Sequence, residues 1–123
     1  MVTKLKDNLS YIKYIQKKMK ERFFEWKQYE EVAQGQINDN FRISYIGNIK
    51  GYNDSQYRVS FVKDRGLLEL KIYYKDEPVH FGFLLFNGII KNIPDQDPKW
   101  RLTLCTELID YYIDFLISFF FKI

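Results

Sequence analysis

The chain has very few of the side chains that most catalytic and metal-binding sites use. Its 123 residues contain one cysteine, Cys105, and one histidine, His80. A single cysteine excludes an internal disulfide bond and a cysteine-based zinc site, and it is typical of a reducing compartment. The glycine and serine patterns of nucleotide-binding loops and hydrolase nucleophiles are also missing. We therefore expect no cofactor and no catalytic residue, with Cys105 as a small core residue and His80 near a strand start.

The sequence also lacks an uninterrupted apolar run. Residues 104–123 approach the length of a membrane span, but Glu107, Asp110, Asp114 and Lys122 interrupt them. Each acid at the centre of a span costs about 2.5–3.5 kcal/mol. The basic start of the chain is not followed by an apolar segment and a cleavage site, so no secretory signal is expected. These absences predict a cytoplasmic protein with no membrane span.

The composition is that of one folded domain covering residues 1–123. The chain is 46% hydrophobic and 28% charged, which is enough apolar material for one core. Lysine and isoleucine each occur 14 times, whereas alanine occurs once, at Ala33. We interpret this bias as that of an AT-rich genome, such as a low-GC bacterium or its phages.

Apolar residues recur every three or four positions near the start of the chain. At about 100° per residue, this spacing places them on one helix face. The pattern predicts one long amphipathic helix from about residue 3 to residue 33, and Gly35 with the polar residues after it is typical of a stop. The stripe consists of Leu5, Leu9, Ile12, Ile15, Met19, Phe23 and Trp26.

Four segments with alternating apolar residues follow, and turn residues separate them. The alternation predicts an antiparallel sheet with one wet face, and residues 64–66 predict a three-residue hairpin loop. A second turn is expected at residues 76–78. The fourth segment is apolar on both sides after His80, so we expect it to be covered on both faces. The apolar positions are Phe41, Ile43 and Tyr45; Tyr57, Val59 and Phe61; Leu68, Leu70, Ile72 and Tyr74; and Val79, Phe81, Phe83 and Leu85.

A second helix is predicted from Asp97 and Pro98, which suit its N-cap and first turn, nearly to the end of the chain. The predicted order is therefore α-β-β-β-β-α. This order indicates a two-layer α+β fold in which a four-stranded antiparallel meander has both helices on one face.

The end of the second helix is the strongest indication of a binding surface. The side chains of Phe119, Phe120, Phe121 and Ile123 point around the helix in several directions, so something must cover them. Either the fold itself encloses these residues, or they contact a partner protein, for which a homodimer is the simplest geometry.

A basic ridge on the first helix supports an alternative function. Five lysines fall within about a quarter-turn of one another beside the apolar stripe, where they either bind nucleic acid or form a solvated helix face. Arg42, Arg58, Lys71 and Tyr73 on the open sheet face add to such a surface or keep the sheet soluble. The ridge consists of Lys6, Lys13, Lys17, Lys20 and Lys27.

The remaining enzymatic interpretation is a metal-dependent nuclease. Glu69 and Lys71 are two residues apart on one strand and therefore share a sheet face, as metal-binding acid and lysine do in restriction-type nucleases. The site needs a further acid, Asp54 or Asp64, but the predicted hairpin keeps both away from Glu69. We therefore expect a non-enzymatic protein that binds or inhibits a protein partner, as accessory, inhibitor or immunity proteins of phages and mobile elements do. No small-molecule substrate is evident.

Overall fold

The computed structural model describes residues 3–33, 39–48, 56–79 and 100–121, and these form an α+β fold with a helix layer on an antiparallel sheet. This architecture confirms the predicted fold class. Within these ranges no helix is long and apolar enough to cross a membrane. The elements in chain order are α1 (Asn8–Arg22), β1 (Lys27–Ala33), β2 (Phe41–Asn48), β3 (Gln56–Asp64), β4 (Leu67–Tyr74), β5 (Glu77–Pro78), β6 (Trp100–Thr103) and α2 (Thr106–Phe121).

The strands lie in the order β1-β2-β3-β4, and both β5 and β6 pair with the outer edge of β4. The Val79 N–H donates to the Ile72 carbonyl at 2.9 Å, and Trp100 pairs with Leu70. Residues 77–79 and residues 100–103 therefore lie along this edge on opposite sides of Lys71. The meander is confirmed through β4. Most of the predicted fourth strand, including Phe81, Phe83 and Leu85, lies outside the described residues, as does His80.

A two-residue turn joins β3 to β4, one residue shorter than the predicted loop. Asp64 pairs with Leu67, so only Arg65 and Gly66 lie between the strands, with φ of 54° and 79°. Positive φ at both positions matches the right-handed twist of the paired strands. Lys75 and Asp76 repeat this conformation between β4 and β5, with φ of 51° and 66°.

Both helices pack on the same face of the sheet, as predicted. The buried face of α1 and the apolar side of α2 meet alternate residues of β2, β3 and β4 in one core. The buried Tyr112 hydroxyl of α2 donates to the Leu68 carbonyl of β4 at 2.8 Å, which fixes the helix on the strand. The sheet residues of this core include Phe41, Ile43, Tyr45, Val59, Phe61, Leu68, Leu70 and Ile72.

The predicted first helix is too long, because α1 ends at Arg22 and residues 27–33 form β1. The Phe23 N–H closes the helix by donating to the Met19 carbonyl at 2.7 Å. Trp26 then packs over Gly47 of β2, where the missing Cβ leaves room for the indole. This contact brings the next residues to the edge of β2, whose backbone groups pair with them. Sheet pairing thus overrides the helix propensity of a Lys-, Gln- and Glu-rich segment.

The predicted start of the second helix is also wrong, because residues 100–103 form β6 and α2 begins at Thr106. The edge of β4 supplies the backbone partners of β6. Thr3 fixes the start of α2, since its carbonyl accepts the Thr106 N–H at 3.0 Å. Its own N–H and hydroxyl donate to the two Glu107 carboxylate oxygens, each at 2.7 Å. Asp97 and Pro98 lie outside the described residues.

Candidate functional site

The structure separates the aromatic residues predicted to bind a partner. Phe119 and Phe120 are buried, and the Phe120 ring lies edge-on to Trp26 at 4.9 Å and to Tyr57 at 5.1 Å between ring centroids. Phe121 remains 49% exposed. Two of the rings therefore belong to the core of this chain. Ile123 lies outside the described residues.

A second exposed aromatic residue lies at the same end of the molecule. Phe24 is in the turn between α1 and β1 and is 76% exposed. Its neighbour Phe23 is buried and stacks on Phe121, with 5.2 Å between ring centroids. We call the exposed pair Phe24 and Phe121 the aromatic end. Phe24 was not among the predicted binding residues, although two adjacent aromatic residues cannot both lie on a narrow buried stripe.

The predicted ridge of five lysines is reduced to a shorter row. Lys13, Lys17 and Lys20 are exposed on α1 and lie on the side that faces away from the sheet, instead of beside the buried stripe. We call these three residues the lysine row. Lys6 and Lys27 are also exposed, but Lys6 precedes α1 and Lys27 is the first residue of β1. Within the described ranges, no residue of the lysine row forms an ion pair within 4 Å.

Glu69 and Lys71 are less exposed to solvent than predicted for the open face of the sheet. Glu69 is only 1% exposed, and the Lys71 Nζ lies 3.6 Å from its Oε2. Asp64 lies at the β3–β4 turn, and Asp54 is outside the described residues. Among the described residues, no three His, Cys, Asp or Glu side chains are grouped to hold a metal ion. Cys105 is buried, in agreement with its predicted core position.

The sheet face opposite the helices carries a depression of about 360 Å³. Its floor includes Ser60, whose hydroxyl is hydrogen-bonded to that of Ser44 on the neighbouring strand at 2.8 Å. We call this feature the sheet depression. Its rim is formed by Tyr29, Glu30, Arg42, Arg58, Lys71 and Tyr73.

The two arginines of the sheet depression have different environments. The Arg42 guanidinium donates two hydrogen bonds to the Glu30 carboxylate, at 2.8 and 3.0 Å. The Arg58 guanidinium lies over the Tyr73 ring, 4.3 Å from its centroid. The Asp76 carboxylate is 3.7 Å from the Arg58 Nη1, beyond hydrogen-bond distance. Arg42 is therefore neutralised by a bidentate pair, whereas Arg58 is held mainly by an aromatic ring.

Three surfaces thus stand out in the described part of the chain: the aromatic end, the lysine row and the sheet depression. Comparison with protein-family models, with curated proteins and with solved structures gave no match. The geometry and chemistry of these surfaces are therefore the basis for a functional proposal.

Proposed function

We propose that the chain is a non-enzymatic, cytoplasmic binding protein that holds or blocks another protein through the aromatic end. The observation that carries this proposal is the exposure of Phe24 and Phe121, 76% and 49%, beside a core of aromatic rings. At about 25 cal/mol per Å² of apolar surface, covering two such rings is worth several kcal/mol. Aromatic side chains are also enriched at the centres of protein interfaces.

The non-enzymatic part of the proposal rests on the sequence. The sequence has one histidine and one cysteine and lacks nucleotide-binding and hydrolase patterns. It therefore offers no familiar combination of catalytic residues. By covering a functional surface of its partner, a protein of this size acts as an accessory, inhibitor or immunity protein. The composition, which we interpret as that of an AT-rich genome, fits an origin in a phage or mobile element. A second copy of the chain is the other partner that the aromatic end fits.

Site-specific photo-crosslinking in cells that carry the gene tests this proposal. A crosslinking amino acid is placed at position 24, at position 121 or at the control position 9. Leu9 is an exposed apolar residue, 46% accessible, near the opposite end of α1. We expect one discrete protein adduct from positions 24 and 121 and none from position 9. An adduct of twice the chain mass identifies a homodimer.

Serine variants provide the affinity measurement. Once the partner is identified, we expect the double change Phe24→Ser and Phe121→Ser to weaken binding by at least about tenfold, because two interface rings are lost. Leu9→Ser should leave the affinity unchanged. If position 9 crosslinks as well as position 24, or if the phenylalanine variants bind normally, the aromatic end is not the interface.

Nucleic-acid binding through the lysine row is the second candidate function. Its support is the exposure of Lys13, Lys17 and Lys20 together with the lack of ion pairs to them among the described residues. Three phosphate contacts predict a slope of about −2 to −3 in a plot of log affinity against log salt concentration. Charge reversal at these lysines should abolish binding, whereas Lys27→Glu on β1 should not. Binding that does not respond to salt would exclude this candidate.

A further inference from the structure

The sheet depression arises from a change of side-chain size across the open sheet face. Ser60 lines the depression with a short side chain, which is hydrogen-bonded to that of the buried Ser44 opposite it on β2. Long side chains surround the two serines on the neighbouring positions, including Arg42, Arg58 and Lys71. A volume of about 360 Å³ is within the range of small-molecule sites.

A β-bulge directs an additional side chain to this depression. The β1–β2 register shifts between Gln28 and Glu30, so Tyr29 has no partner on β2. Both Tyr29 and Glu30 line the depression, because a bulge interrupts the alternation of side chains between the two faces. Bulges are frequent where a strand re-aims a side chain next to a functional site. The bulge is therefore a second observation, independent of charge, that indicates a binding site here.

The charge at the rim favours an anionic ligand. Arg42, Arg58 and Lys71 line the depression with one carboxylate, that of Glu30, which forms a bidentate pair with Arg42. The Lys71 Nζ is also 3.6 Å from the Oε2 atom of the buried Glu69, beyond hydrogen-bond distance. Arg58 and Lys71 are diagonal neighbours across β3 and β4, so their Cβ atoms are about 7–8 Å apart. Both long side chains can reach one anion placed between them.

Arg58 in particular has hydrogen-bond donors that a ligand can use. Within the described residues its guanidinium forms no hydrogen bond, and its Nε is buried without a partner. The carboxylate near it belongs to Asp76, whose side chain is 91% exposed and therefore weakly held. Stacking on Tyr73 limits the motion of the guanidinium, which lowers the entropy lost when it binds an oxyanion.

The depressions on either side carry charges of both signs. Asp64 and Glu69 line one together with Lys63, next to Arg42 and Lys71, and Asp76 lines the other together with Lys75, next to Arg58. The excess of positive charge is larger in the sheet depression, where three cations meet one carboxylate. This distribution favours a compact anion centred there.

We propose that the sheet depression binds a small phosphate ester, whose phosphate lies between Arg58 and Lys71 and whose remaining atoms contact Tyr29. The planar guanidinium of Arg58 suits the oxygens of a phosphate, and the ammonium group of Lys71 adds a second positive charge beside it.

Titration of ¹⁵N-labelled protein with adenosine 5′-monophosphate, inorganic phosphate and adenosine tests this inference by NMR. We expect saturable shifts of the amides around Arg58, Ser60 and Lys71 with adenosine 5′-monophosphate and no shifts with adenosine. Arg58→Gln and Lys71→Gln should each weaken binding by about tenfold or more, since each removes a charge-assisted hydrogen bond. Arg22→Gln, which removes the same charge from an exposed position of α1 outside the lysine row, is the matched control.

The thermal unfolding of both variants shows whether they remain folded. Inorganic phosphate binding as tightly as adenosine 5′-monophosphate supports the phosphate position but overturns the contact with Tyr29. The inference is overturned if neither phosphate probe gives saturable shifts up to about 10 mM, where binding is too weak for a specific site. It is also overturned if Arg22→Gln weakens binding as much as Arg58→Gln. Crosslinking at position 24 is independent of these results, so the two proposals fail separately.

Discussion

At the scale of single residues, the indole of Trp26 occupies the space where a side chain at position 47 would lie. Gly47→Ala therefore forces the ring or the strand to move, and we expect it to lower the free energy of unfolding by about 1–3 kcal/mol. Urea denaturation measures this loss. In a Trp26→Leu background, the cost of the same change should fall towards zero, because the overlap is removed.

Gly66→Ala is the matched control for Gly47→Ala. A Cβ at position 66 meets no other atom within 4 Å, but φ is 79°. The expected cost of about 1–2 kcal/mol then comes from the backbone conformation alone. Trp26→Leu should leave this cost unchanged. If Trp26→Leu reduces the stability cost of Gly66→Ala as much as that of Gly47→Ala, the contact between Trp26 and Gly47 is contradicted.

Tyr112 gives a second prediction at this scale. Its buried hydroxyl donates to the Leu68 carbonyl, and burial, with the charge of Glu69, raises the pKa of Tyr112 above its ordinary value. The phenol therefore stays protonated as a donor. Tyr112→Phe should lower the free energy of unfolding by about 1–2 kcal/mol, measured by urea denaturation. Tyr111→Phe, at an exposed position of the same helix, should change it by less than about 0.5 kcal/mol.

At the scale of elements, a distant part of the chain fixes the start of α2. Hydrogen bonds from the Thr3 hydroxyl and N–H lower the pKa of Glu107 from 4.5 to about 2. A lowered carboxyl pKa stabilises the folded state above the unfolded-state pKa, and this contribution is lost as pH falls through the folded-state pKa. We therefore expect the stability difference between the native chain and Glu107→Gln to shrink between pH 4.5 and about pH 2.

Urea midpoints measured across that pH range test the contribution of Glu107. Asp7 contributes to the acid response of both proteins, because its hydrogen bonds with Ser10 at the start of α1 also lower the pKa of Asp7. The comparison with Glu107→Gln removes this shared part. Asp114→Asn, at an exposed position on α2, is the control for the loss of one carboxylate from this helix. A constant difference between Glu107→Gln and the native chain over this range would show that the Thr3 contacts do not depend on the charge of Glu107.

At the scale of the whole molecule, the sheet separates surfaces of different chemistry. The lysine row is on the outer side of the helix layer, whereas the sheet depression is on the opposite sheet face. One small ligand cannot contact both. Arg42, Arg58, Lys71 and Tyr73 therefore do not extend the lysine surface, contrary to the expectation from the sequence.

The same layering predicts the order of local stability. β3 pairs with both β2 and β4 from residue 57 to residue 63 and carries Val59 and Phe61 in the core. Amide hydrogen exchange followed by NMR should be slowest in β3 and faster in β1, which among the described residues pairs only with β2. Slow exchange in β1 comparable to that of β3 would indicate that its outer edge is covered in solution.

Some residues of the proposed binding surfaces could be assigned from the sequence, and others could not. Arg58, Lys71 and Tyr73 were placed on the open sheet face, because alternation in a strand assigns each residue to a face. Tyr29 and Glu30 were not, since their positions depend on a bulge in a strand whose sequence resembles a helix. The sequence does not distinguish Phe119 and Phe120 from Phe121. Only their contacts with other elements show that the first two are buried and the third is exposed.

The sequence by itself determined the periodic elements: the first half of the predicted first helix, the three alternating strands β2, β3 and β4, and most of α2. Their apolar periods are local properties of the chain, and burying one stripe per helix and one face per strand leaves few arrangements. Only the tertiary structure decided that residues 27–33 and 100–103 are strands, because the edges of β2 and β4 supply their backbone partners. It likewise decided which aromatic rings are covered, since Trp26 and Tyr57, distant in the chain, enclose Phe120 and leave Phe121 at the surface.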